Sequence, residues 1–228
     1  MTAPAAPAGR VAPAFARGHY IRAVNLHLTP RRHAARLEAR LGVLAARFAP
    51  VTEADVLDFC VTGRWPHARP GVIVSLFNGY REHAEVAAPI LDRVGLVGWF
   101  FLPTSFVDAP AGDQRAFAAG HALALGPDAP ADGRVALSWD EVRALAGSHV
   151  IASHTRSHRA LTADLAPGEI EAEISGSKLD LERQIDRPVR SFAWLYGGTL
   201  GADPRVHQVL VQSGYELLFA NHAIQRLQ

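Results

Sequence analysis

The stretch Ser153-His154-Thr155-Arg156-Ser157-His158 holds two histidines four residues apart, just after a short apolar run. If the segment coils into a turn, both imidazoles face one side with Cβ atoms about 5–6 Å apart. That spacing suits two nitrogen ligands on one metal ion, at about 2.0–2.1 Å each for zinc. The alternative for such a pair is a structural role, with both rings satisfied by hydrogen bonds. The chain has 11 histidines but one cysteine, so neither an internal disulfide nor a cysteine-based zinc site can form. Its 23 Lys+Arg against 22 Asp+Glu leave a net charge of +1. That balance argues against a dedicated nucleic-acid binder, which needs a basic surplus or stripe.

The elements around this pair alternate between strand-like and helix-like patterns. Ile21–Leu26, Gly71–Leu76, Val97–Leu102, His149–Ala152, Ser191–Trp194 and Glu216–Ala220 read as six short strands. Between them, Arg31–Phe48, Thr52–Cys60, His83–Val94, Ser138–Ala146, Pro167–Ile185 and Asp203–Gln212 read as helices. Asp108–Val135, rich in Ala, Gly and Pro, reads as a long loop with a short helix around Gln114–Ala124. The alternation predicts a parallel sheet with right-handed crossovers, either open or closed into a β/α barrel. In both, the site lies at the C-terminal ends of the strands. Those ends are Phe77-Asn78-Gly79, Ser153–His158 and Leu195-Tyr196-Gly197.

A length of 228 residues fits one α/β domain, assigned here to residues 19–228. Residues 1–18, rich in Ala, Pro and Gly, are expected to form a flexible arm. They lack the continuous apolar stretch of a signal peptide, and no run of about 18 apolar residues occurs to span a membrane. A cytoplasmic location is therefore the expectation.

Three blocks then carry a resemblance. Val72–Val107 (VIVSLFNGYREHAEVAAPILDRVGLVGWFFLPTSFV), Ser153–Leu161 (SHTRSHRAL) and Ser191–Gly198 (SFAWLYGG) occur in the order and spacing of the polysaccharide deacetylase family. This is the NodB-homology domain, or carbohydrate esterase family four. The resemblance spans about residues 21–228. It implies a distorted (β/α) barrel and a metal-dependent hydrolase that removes N-acetyl groups from a carbohydrate. It also implies that His154 and His158 bind a divalent metal, zinc above others. Tyr196 would offer its backbone N–H to the oxyanion, and Trp194, Tyr80 and Thr155 would contact substrate. His27 matches a histidine often seen at the end of the family's first strand, where a structural role is expected.

Two departures bear on activity. The family's first block reads Thr-Phe-Asp-Asp-Gly-Tyr, against Ser75-Leu76-Phe77-Asn78-Gly79-Tyr80 here. Phe77 stands where the family has its catalytic base, and Asn78 where it has its third metal ligand. Phenylalanine cannot accept a proton. Losing a general base typically costs about 10²–10⁴ in rate. Asn78 can offer an amide oxygen but no charge. The arginine that many members pair with the base is matched by Ala193, with Arg190 three residues earlier. The family's final block has no counterpart, and His222 does not sit in its pattern. The barrel is expected to lack its last strand and to expose an edge, which favours a homo-oligomer. Two functions stay open: an impaired N-deacetylase, or a non-catalytic homologue that binds sugar, metal or a partner in polysaccharide biosynthesis. Of the remaining residues, Glu82, His83 and Asp108 read as solvated surface groups, Trp99 as core, and Cys60 as a buried small residue.

Overall fold

Along Gly71–Phe77, Val72, Val74 and Leu76 alternate with Ile73, Ser75 and Phe77, and all but Phe77 are buried. A strand buried on both faces needs cover on both. In the computed structural model, which describes residues 20–130, 133–221 and 223–227, a sheet with helices outside and a second core inside supplies it. The expected arm, His222 and Gln228 lie outside the described residues.

The strands are β1 (Ile21–Leu26), β2 (Ala49–Pro50), β3 (Gly71–Phe77), β4 (Gly98–Leu102), β5 (Val150–Ser153), β6 (Ser191–Ala193), β7 (Leu217–Phe219) and β8 (Ile224–Arg226). They form one sheet in the order β1-β3-β4-β5-β6-β7-β8, while β2 pairs with the start of β3. All pairings are parallel except β7 with β8. β1 and β8 do not pair, so the sheet curls into a half-barrel that stays open.

The period-2 alternation divides two cores. Val72, Val74, Leu76, Phe100, Leu102, Phe192 and Leu218 face the outer helices. Ile73, Trp99, Phe101, Ala152, Ala193, Leu217 and Phe219 fill the concave side. Phe77 continues that inward row at its upper end, so the side chain at position 77 must point into the mouth of the half-barrel. Trp99 belongs to this inner core, with its indole N–H donating to Val51 O at 2.8 Å.

The helices are α1 (Ala34–Arg47), α2 (Glu53–Thr62), α3 (Ala88–Val94), α4 (Thr104–Asp108), α5 (Gln114–Gly120), α6 (Trp139–Leu145), α7 (Pro167–Glu171), α8 (Ser177–Ile185) and α9 (Pro204–Gln212). Thr52 with Asp55 and Ser138 with Glu141 form capping boxes at the starts of α2 and α6. No described helix is long and apolar enough to cross a membrane.

The barrel stays open, as expected, and its free edge beyond β7 is the antiparallel β8, a strand the sequence does not mark. The structure corrects three expectations about the elements. The predicted helix Pro167–Ile185 contains a π turn at Ala172–Gly176, and a second π turn, His83–Ala87, precedes α3. Cys60 is exposed, because the last turn of α2 extends past the core that holds Val56. His83 is fully buried, since the π turn directs its ring beneath β1, where Nε2 donates to His27 O at 2.6 Å.

Candidate active site

Three loops at the upper ends of β3, β5 and β6 meet around one cleft. On the β3 loop, Phe77 stacks on Phe101 at 5.0 Å and on His27 at 5.3 Å between ring centroids, and tilts against His154 at 5.1 Å. Asn78 and Gly79 follow with φ of 79° and 67°, left-handed conformations that asparagine and glycine tolerate best. The Asn78 amide nitrogen donates to Tyr80 Oη at 3.2 Å. Its Oδ1 is buried with no hydrogen-bond partner.

The β5 loop carries the histidine pair. It is not a helical turn. Left-handed kinks at Thr155 (φ 64°) and His158 (φ 58°) bring the two rings to 5.2 Å between centroids. His154 Nδ1 bonds Ala193 O at 3.0 Å, and His158 Nδ1 bonds His121 O at 2.8 Å. Each ring therefore donates from Nδ1 and keeps the lone pair of Nε2 free. Burial pushes His154 down to about 3, helped by the neighbouring His158 and opposed by the bond to Ala193. Burial likewise lowers His158, with its bond to His121 opposing. Both rings are thus neutral at pH 7, the form that ligates metals.

On the β6 loop, Trp194 is nearly buried and its indole Nε1 has no partner. Tyr196 is 68% exposed and left-handed at φ 49°. Among the described residues, no backbone carbonyl takes the Tyr196 N–H.

These loops enclose about 400 Å³, and none of the lining residues carries a carboxylate. The titratable side chains facing it are His27, Tyr80, His154, His158 and Tyr196. Of the six described non-glycine residues with positive φ, five lie in these loops or line the cleft: Asn78, Ala122, Thr155, His158 and Tyr196. Such conformations cost roughly 1–3 kcal/mol each and cluster at functional sites. A neighbouring recess of about 610 Å³ shares Leu28 and Tyr80 with the cleft. Arg31 and Arg81 pair there with Glu85 and Arg32 with Asp128, while Glu82 accepts the Thr29 N–H.

Of the predicted site residues, Phe77, Asn78, Tyr80, His154, His158, Trp194 and Tyr196 all line the cleft. Thr155 does not. It is buried, and its hydroxyl accepts the Arg159 N–H at 3.1 Å within the loop. Arg190 pairs with Glu216 at 3.2 Å. Asp108 is exposed and accepts from Trp139 Nε1 at 2.8 Å. Glu82 is half-buried and accepts the Thr29 N–H, so it is not the solvated group expected. His27 faces the cleft from the end of β1, and burial lowers its pKa. Asn25 and Asn221 also line the cleft. No motif marks them, because only the curl of the sheet brings both ends of the chain to this mouth.

Among the described residues, no group of three His, Cys, Asp or Glu side chains is placed to hold a metal ion. The unpartnered, buried Asn78 Oδ1 lines the same cleft as the two imidazoles with free Nε2. Two neutral nitrogens and a neutral oxygen are donors a divalent cation could use, but they bring no ligand charge to compensate it.

The Polysaccharide deacetylase family model matches residues 67–218. No curated protein sequence matches the chain. Among solved structures, the chain is similar to the Streptococcus pyogenes deacetylase PplD in complex with acetate (13% identity, TM-score 0.66, covering 91% of this chain and 86% of that one). It is also similar to the BpsB deacetylase domain from Bordetella bronchiseptica (18%, 0.65, 89% of each chain). A de-N-acetylase from Aggregatibacter actinomycetemcomitans superposes comparably (19%, 0.64, 91% and 90%). At these identities the superpositions establish the half-barrel fold.

Proposed function

Because the chain belongs to the polysaccharide deacetylase family, we propose that its cleft binds an N-acetylated carbohydrate and that its hydrolysis of the acetamido C–N bond is impaired. The observation that carries this reading is the lining of the cleft, which has a site's shape but no carboxylate. His154 and His158 through Nε2, with Asn78 through Oδ1, would hold a divalent cation, zinc being the family's usual one. When bound, such an ion polarises the amide carbonyl and acidifies water. The Tyr196 N–H is a donor available to the carbonyl oxygen as charge develops there, and such donors are typically worth about 10²–10³ in rate. Trp194 and Tyr196 line the cleft, where the exposed Tyr196 ring offers flat apolar surface to a sugar.

The step left without a carboxylate is removal of the attacking water's proton. Phe77 occupies the place at the end of the inward row of β3, packed between His27 and Phe101. It neither accepts a proton nor orients water. Its fit between two rings favours the second reading, a non-catalytic binder, wherever the lost factor of about 10²–10⁴ leaves no useful turnover.

The test joins zinc analysis of the purified chain with acetate release from N-acetylated oligosaccharides. The proposal expects oligosaccharide binding, weak zinc binding lost in His154→Ala, and acetate release that rises strongly in Phe77→Asp combined with Asn78→Asp. Wild-type turnover at a rate the double variant does not exceed overturns the impairment. Absence of oligosaccharide binding by both proteins overturns the substrate class.

A further inference from the structure

The loop between the two histidines lies outside any helix or ladder, yet both rings must be held in register. Its middle residues are tied to one acidic side chain. Glu173 Oε2 accepts the backbone N–H of Arg156 at 2.9 Å and of Ser157 at 2.8 Å. Its Oε1 accepts the Ser157 hydroxyl. Glu173 is 8% exposed, and among the described residues no lysine or arginine pairs with it. A buried carboxylate without a cation is costly unless hydrogen bonds solvate it. Here every donor that does so comes from the two residues between Thr155 and His158.

The same stretch of helix holds the loop at two more points. Ser153 Oγ, just before His154, lies 2.6 Å from Ser177 Oγ. The Arg156 side chain runs over Gly176, where a Cβ would come within 3.4 Å of its Cδ, and its Nε reaches Asp180 Oδ2 at 3.1 Å. Glu173 itself sits in the π turn Ala172–Gly176, the irregular part of an otherwise α-helical segment. π turns recur at functional sites.

We propose that Glu173 is the positioning residue of the His154/His158 pair, its carboxylate fixing the kinked loop so that both Nε2 atoms face the cleft. The proposal rests on the reading that this pair holds a cation. Glu173 does not line the cleft; it acts through the loop, while its charge raises His158 against the effect of burial. Removing a group that orients metal ligands typically costs about 10- to 100-fold in metal affinity.

The experiment measures zinc affinity by chelator competition, and amide hydrogen exchange at Arg156 and Ser157, in the full chain. Wild type is compared with Glu173→Gln, Glu173→Asp, Glu173→Ala and His154→Ala. Glutamine keeps an oxygen able to accept both N–H groups. Aspartate keeps the charge but withdraws it by one methylene. The expected result is zinc binding about 10- to 100-fold weaker in Glu173→Asp and Glu173→Ala, faster exchange at both amides, and recovery to within about threefold in Glu173→Gln. Wild-type zinc affinity in Glu173→Asp and Glu173→Ala overturns the proposal, as does a glutamine variant no better than alanine. Should Glu173→Ala fail to fold, the Asp and Gln variants decide. Equal zinc binding by wild type and His154→Ala refutes the cation reading instead. Exchange then decides the anchor alone: acceleration in Glu173→Asp reversed by Glu173→Gln sustains it, and unchanged exchange overturns it.

Discussion

His83 should make the protein acid-sensitive by a calculable amount. The ring is fully buried, and burial holds it down to about 4, against an ordinary value of 6.5. Nε2 donates to His27 O at 2.6 Å, while Nδ1 has no partner. Protonation would place a second N–H and a charge in an apolar site with no acceptor. The fold favours the neutral ring, so its contribution is fully present above about pH 6.5 and is lost as pH falls from there towards 4. Linkage between these two values gives a loss of about 2 kcal/mol at pH 5 relative to pH 7.5. The assay is urea unfolding of wild type and His83→Phe at both pH values. Phenylalanine cannot titrate, and its loss of the hydrogen bond to His27 weakens the fold equally at both pH values, so it cancels in the difference. Wild type should lose about 2 kcal/mol more than the variant between pH 7.5 and 5. Parallel losses in the two proteins would refute the assignment of a buried, neutral His83. His154 is depressed in the same direction but is common to both proteins, so it leaves the comparison intact.

Two further outcomes follow from the cleft. Asn78→Asp replaces an unpartnered buried oxygen with a charged one in the cleft of the two imidazoles; zinc affinity should rise by at least about tenfold, while the zinc-free protein loses roughly 1–3 kcal/mol in urea unfolding for burying an unpaired charge. An unchanged zinc affinity would show that Oδ1 is not a ligand position. Tyr196→Ala removes a ring that is 68% exposed and touches His158 only edge-on at 6.0 Å; stability should stay within about 1 kcal/mol while oligosaccharide affinity falls. A large drop in the melting temperature would show instead that the ring holds the loop together.

Much of the architecture was legible because burial leaves a period. β3 and β4 are apolar on both faces and bounded by turn residues, and α2 and α6 announce their starts with Thr52-x-x-Asp55 and Ser138-x-x-Glu141. β2 and β8 were not legible. They are two and three residues long, and β8 contains Gln225 and Arg226, so neither shows alternation. The π turns left no mark either, since one extra residue per turn disturbs the apolar spacing too little to read. The histidine pair was visible through its spacing and its place after a strand. Its approach through left-handed Thr155 and His158 was not, because backbone kinks at non-glycine residues carry no compositional sign. Glu173 was invisible for a related reason: its partners are backbone N–H groups, which every residue possesses. The absence of carboxylates from the first block was the most readable feature, since Val72–Arg81 contains none.

The reversal at β8 has a practical consequence for experiments on the cleft. Strands β1 to β7 run parallel, with the site at their C-terminal ends, and β8 turns back so that Leu227 N–H donates to Glu216 O at 2.9 Å, below the start of β7. The chain therefore leaves the sheet at the end opposite the histidines. A biotin or surface tether attached after this strand would present every molecule mouth-outward. Binding of long glycans could then be measured on a sensor chip without the support shadowing the opening, whereas a tether on any of the three upper loops would crowd it.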